Sequence, residues 1–207
     1  PVVNERGEPA GYIDTSIQLS DKYRPWYSSR FANIEEVADY WMKNYNTLKE
    51  KTELFTDAFY ATTLPAEVVE AVAANLTILK SPTIFRQYDG RMWNWEGCGN
   101  EYGSCYGSCT HVWNYAQAIP HLFPKMERTL RETEFFVSQA KNGHQAFRSA
   151  LPIRPIRHNF HAAADGQLGG IMKVYRDWHI YGNDEWLKLI YSYVQNSLDY
   201  CLSLIHI

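Results

Sequence analysis

The sequence predicts an all-α fold from residue 33 onward, and three observations predict it. Apolar residues recur at helical spacing from Asn33 on, no convincing period-2 alternation appears after residue 35, and two Gly- and Pro-rich stretches separate the helical runs. A length of 207 residues suits one sizeable domain or part of a larger one.

Residues 1–32 stand apart from this pattern. Asn4 to Gly11 is polar, and Lys22 to Phe31 carries turn signals without helical period, so the segment reads as a linker or the tail of a preceding domain. Asn33 then predicts an N-cap, with Glu36 three residues on in capping-box position. Val37, Trp41, Leu48 and Phe55 fall on one side of the long helix that follows. Pro65 suits the first turn of a second helix, Ala66 to about Leu79, ending before Ser81-Pro82. The short link predicts that these two pack as an αα-hairpin.

Residues 81–110 read as a long loop, a length that inside a compact domain marks function. Helical pattern resumes near Val112, breaks at Pro120 and restarts from Pro124 to about Gln139. A second loop, 142–164, leads to a helix from Asp165 to Tyr181, whose first turns Gly166, Gly169 and Gly170 soften. Asn183 caps the last helix, 184–200, with Trp186, Leu187, Ile190, Tyr191 and Val194 as its apolar stripe. The terminal residues Leu202 to Ile207 match one reading frame of a sequencing-adapter end and are read as an adapter scar. On that reading the chain is an internal fragment of a longer protein.

Composition narrows the function. Lys and Arg number 20 against 23 Asp and Glu, a balance that argues against nucleic acid or an anionic membrane as the main partner. No apolar run approaches the roughly 20 residues of a membrane-spanning helix. No signal peptide can be read from Pro1, and no compartment is assigned. Aromatics make up 15% of residues, enough to supply both core mass and flat platforms for sugar rings.

Chemistry concentrates in the first loop. Glu96 follows Trp93 and Trp95 and precedes Gly97, the kind of grouping that sugar chemistry uses, since glycosidases need carboxylates beside aromatic faces. Cys98, Cys105, Cys109 and His111 offer a Cys3His zinc set, without the Cys-x2-Cys spacing of known knuckles; small buried thiols are the preferred reading. Gly97 and Gly99 make no phosphate loop, because the third glycine and the preceding strand are missing. In the second loop Arg154, Arg157, His158, Asn159 and His161 precede Asp165, polar groups suited to binding hydroxyls, with N-capping the simpler role for Asp165. The acceptor pattern Asn75-Leu76-Thr77 sits within a predicted helix, which disfavours glycosylation.

Taken together, Trp95-Glu-Gly97, Thr110-His-Val-Trp-Asn-Tyr-Ala-Gln117, Leu122-Phe-Pro-Lys-Met-Glu-Arg128 and Asp165-Gly-Gln with Lys173-Val-Tyr-Arg-Asp177 resemble glycoside hydrolase family 116. This is the family of the non-lysosomal glucosylceramidase (bile-acid β-glucosidase) and its bacterial relatives, and the likeness runs from about residue 30 to 201. The resemblance implies a β-sandwich followed by an (α/α)6 barrel, with residues 1–32 leading out of the sandwich and 33–201 forming the first part of the barrel. It implies a retaining β-glycosidase with a Glu nucleophile, at Glu96, and an Asp acid/base beyond Cys201. The substrate would be a β-glucoside, the fragment alone would be inactive, and no cofactor or metal is implied. Trp93, Trp95, Thr110, His111, His158 and Asn159 would shape the sugar pocket. His158 matches a family histidine lining that pocket, but Asn159 replaces an Asp, and His111 stands where better-known members carry an acidic residue. These departures point to a divergent bacterial branch. Two alternatives are a non-catalytic carbohydrate-binding α-barrel protein and a structural zinc module on Cys98, Cys105, Cys109 and His111.

Overall fold

Asn33 begins the helical part of the structure as its sequence predicts. In the computed structural model, which describes residues 24–81, 83–94, 97–98, 103–104, 108–111, 118–150, 153, 155 and 161–205, the Asn33 side chain accepts from Glu36 N at 2.9 Å. Glu36 reaches back one residue further than a standard capping box, to Ala32 N at 2.8 Å. The helix α1 then runs from Ile34–Tyr60. Its apolar side is regular but uncovered: no residue of α1 is buried, and Trp41 is 54% exposed.

Pro65 caps α2, Ala66–Leu76, which tightens into a 3-10 turn over Thr77–Lys80. The predicted αα-hairpin does not form as a packed pair. Instead α2 packs against α3, Ala118–Leu122, while α1 reaches the body through Phe55, whose ring stacks 6.3 Å from Phe123. The link Ala61–Pro65 is irregular and begins with a tight turn, Thr62 N donating to Tyr60 O at 2.9 Å.

The stretch predicted as one long loop contains two small antiparallel hairpins. Strand β1, Ile84–Arg86, pairs with β2, Met92–Asn94, placing Phe85 opposite Trp93. Strand β3, Gly97–Cys98, pairs with β4, Gly103–Ser104. Three- and two-residue strands are too short to display the alternation by which strands are read from sequence. Met92 N donates to Thr129 Oγ1 at 3.0 Å, docking β2 on α4, Pro124–Glu132.

Two apolar clusters hold the body together. Met92, Cys109, Ile119 and Leu130 join β2, the Cys109 segment, α3 and α4. Phe135, Val174, Trp186 and Ile190 join a π-helical turn, Thr133–Val137, to α5, Ala164–Tyr181, and α6, Asp184–Ile205. Asn183 Oδ1 accepts from Trp186 N at 2.9 Å, the cap expected for α6.

One buried amide ties the second predicted loop to this frame. Gln167 donates to Gly143 O at 3.0 Å and to Ser197 O at 2.9 Å, and accepts from Gln145 N at 3.2 Å. Gly143, at φ +87°, lies so near α6 that a Cβ would fall 1.9 Å from Asn196 O, which explains a glycine there. The described residues are thus mostly helical, with two two-stranded sheets. None of their helices is long and apolar enough to cross a membrane.

Candidate functional site

Thr110 and His111 form a turn fixed from three directions. Thr110 N donates to Phe147 O at 3.1 Å, and its hydroxyl reaches the same carbonyl at 3.4 Å. From below, Lys173 Nζ of α5 donates to Thr110 O at 3.2 Å. From the side, the first turn of α5 presses against the backbone: a Cβ at Gly166 would lie 2.4 Å from Thr110 Oγ1 and 3.1 Å from His111 N. That close approach brings Asp165 to His111, with Oδ2 2.9 Å from Nδ1. Thr110 is buried, whereas the side chains of His111 and Asp165 are 43% and 58% exposed. The bond from His111 holds the Asp165 carboxyl below its ordinary pKa.

Beneath this turn lies a buried ionic network between α4, the π-helical turn and α5. Three cations, Arg131, Lys173 and Arg176, meet three carboxylates, Glu127, Glu134 and Asp177. Arg131 is enclosed and bonds Glu134, with Glu127 and Asp177 each 3.6 Å away. Arg176 bridges Glu127 at 2.8 Å and Asp177 at 2.7 Å. Lys173 spans the network and the turn, since its Nζ also donates to Glu134 at 3.3 Å. Balance of sign makes such burial tolerable, because an isolated interior charge costs several kcal/mol.

Burial leaves its mark on the proton affinities. Desolvation raises Glu127 and Asp177 above their ordinary carboxyl values, although the neighbouring arginines pull the other way. Desolvation, reinforced by Arg131, lowers Lys173 to about 8. The unfolded chain, with lysine near its ordinary 10.5, therefore binds more protons than the fold between about pH 8 and 10.5. Stability contributed by this group rises through that window and is lowest below it. Thermal or urea melts are expected to show a gain of about 1–2 kcal/mol from pH 8 to 9.5 that Lys173→Met abolishes.

The residues singled out from sequence fall into distinct places. Trp93 is 0% exposed inside β2, a core residue rather than an open platform. Thr110 is likewise internal, its polar atoms directed to Phe147 and Lys173. Of the sugar-pocket candidates Trp93, Thr110 and His111, the last is partly exposed, and the structure couples it to Asp165, which is also exposed, as is His161. Trp95, Glu96, His158 and Asn159 lie outside the described residues, as does Cys105. Cys109 is buried in the apolar cluster with Met92, and among the described residues no group of three or more His, Cys, Asp or Glu could hold a metal.

The ionic network went unread in the sequence, although its signal is there. Glu127, Arg131 and Glu134 recur at helical spacing, as do Lys173, Arg176 and Asp177. A charged stripe of that kind ordinarily reads as a solvated face. No family model matches the chain, and no curated protein matches it.

Proposed function

We propose that the chain is part of an (α/α)6-barrel catalytic domain of a retaining β-glycosidase acting on β-glucosides. The single observation that carries the reading is the half-exposed His111, oriented by Asp165 on a turn pinned from beneath by Lys173. That turn belongs to one of four ordered sequence blocks that resemble family 116 glycoside hydrolases. The uncovered apolar side of α1 supports the wider architecture, because helices of a toroid bury such sides only against further helices. Asn94 adds local support: it is buried at the end of β2, two residues before Glu96, and among the described residues neither side-chain amide atom has a hydrogen-bond partner.

In this mechanism the Glu96 carboxylate attacks the anomeric carbon and displaces the aglycone oxygen, forming a glycosyl-enzyme. An Asp supplied from beyond residue 201 protonates the leaving oxygen, then takes a proton from the water that hydrolyses the intermediate. The two carboxyl groups stand about 5–5.5 Å apart in retaining enzymes. No cofactor enters these steps.

An activated slow substrate tests the nucleophile without needing the acid. In 2,4-dinitrophenyl 2-deoxy-2-fluoro-β-glucoside the phenolate leaves unprotonated, so attack by Glu96 alone suffices to form the ester. Intact-mass analysis is expected to show one fluoroglucosyl group per chain, mapped to the peptide containing Glu96, and none in Glu96→Gln. An unmodified wild-type chain that still binds methyl β-thioglucoside would favour a carbohydrate-binding protein without catalysis. Equal labelling of wild type and Glu96→Gln would remove Glu96 as nucleophile.

A further inference from the structure

We infer that Asp165 is a positioning residue for His111, holding the imidazole with its Nδ1–H on the carboxylate and Nε2 as a hydrogen-bond acceptor for a sugar hydroxyl; the choice of ligand rests on the glycosidase reading above.

The inference follows from donor and acceptor chemistry. Asp165 is exposed at the first turn of α5, where the helix end favours the ionised form. An ionised carboxylate only accepts hydrogen bonds, so at 2.9 Å the ring nitrogen facing it must carry the proton. In a neutral imidazole the other nitrogen then has a bare lone pair. A free histidine prefers the opposite tautomer, so the carboxylate reverses the intrinsic preference.

Rigidity of the support makes this orientation persist. The backbone of the turn is tied to Phe147 O and Lys173 Nζ, and Gly166 packs close against His111 N. Asp165 projects from the adjoining residue of the same helical turn. Among the described residues, the charged groups facing the turn are Asp165 directly and Lys173 through the Thr110 carbonyl, with Glu134 behind Lys173. His111 therefore rests on a carboxylate whose own place is set by the packing of α5.

Long-range proton–nitrogen spectra of the 15N-labelled full chain, recorded at pH 8, read the tautomer directly, with His111→Gln identifying the resonances. The wild type is expected to show Nδ1–H as the dominant form. Asp165→Ala is expected to invert the ratio toward Nε2–H, and Asp165→Asn, which retains an acceptor oxygen, to keep it. The backbone amide spectrum reports that both variants fold. Titration with methyl β-thioglucoside should shift Nε2 of the wild type, and Asp165→Ala should weaken its binding by about five-fold, the equivalent of one ordinary hydrogen bond. A wild-type His111 in the Nε2–H form, or a tautomer indifferent to Asp165→Ala, overturns the positioning role. The expected inversion with no response to the thioglucoside keeps Asp165 as the orienting group but overturns the sugar as the ligand of His111; the glycosidase reading itself falls only if the fluoroglucoside also fails to label Glu96.

Discussion

Arg131→Met is expected to destabilise the chain by about 3–5 kcal/mol, enough to unfold a domain of ordinary stability at physiological temperature. The side chain is completely enclosed and faces Glu127, Glu134 and Asp177. Its own burial opposes the charge, yet the three carboxylates outweigh that and hold it protonated above its ordinary value. Removing it leaves three carboxylates against Lys173 and Arg176, an interior excess of negative charge. The apolar side chain cannot recover this, because the loss is desolvated charge and not volume. Urea melts of wild type, Arg131→Met, Glu134→Leu and the double variant form the decisive cycle. The double variant restores two charges of each sign and should be more stable than Arg131→Met. Strict additivity of the two single effects would mean the network is not energetically coupled. The sign with pH is also set: Glu127 and Asp177 are already raised by burial, so without Arg131 they bind protons more readily still in the fold. The deficit of Arg131→Met should therefore shrink as pH falls from 7 to 5.

This network also shows where the sequence is and is not legible. Local rules located Asn33, Pro65 and Asn183, since a cap is decided by groups within a few residues of it. Helices α5 and α6 were legible for the same reason, their period being written in the chain itself. Tertiary partners were not. Val37 and Trp41 have the spacing of a buried side, but spacing cannot say that the covering surface is missing among the described residues. The pairing of β1 with β2 depends on docking Met92 to Thr129 of α4, 37 positions away, and leaves no alternating pattern in three residues. The charged stripes of α4 and α5 look solvent-facing one helix at a time, and only facing each other do they become an interior.

The candidate site divides along the same line. The family resemblance assigned Trp93, Thr110 and His111 to one sugar pocket. Burial separates them: Trp93 and Thr110 are internal, and the His111 side chain is partly exposed and bonded to Asp165. Asp165 looked like a simple N-cap, yet its carboxylate bonds a side chain 54 residues distant. The glycine after it looked like a weakness in the helix, and the structure supplies a steric reason for it.

Gly166→Ala tests that reason, because helix propensity and packing predict opposite signs. Alanine is favoured over glycine within a helix by about 1 kcal/mol, so on local grounds the substitution should stabilise α5. Against this, the new Cβ would stand 2.4 Å from Thr110 Oγ1 and 3.1 Å from both Thr110 Cβ and His111 N. Thr110 cannot swing aside freely, since it is buried and its carbonyl and amide are held by Lys173 and Phe147. Relief requires α5 or the turn to shift, and overpacking of this kind costs about 1–3 kcal/mol. We expect the packing term to win, giving a net loss of about 1–2 kcal/mol in urea melts. The shift would also lengthen the bond from His111 to Asp165, so the Nδ1–H tautomer should lose its dominance in the same variant. Thr110→Ala removes the oxygen at the closest contact. Added to Gly166→Ala it should return part of the stability, and the sum of the two single losses should exceed the loss of the double. A stabilised Gly166→Ala would show that α5 can move away from the turn at little cost, and a turn so loosely held could not orient His111.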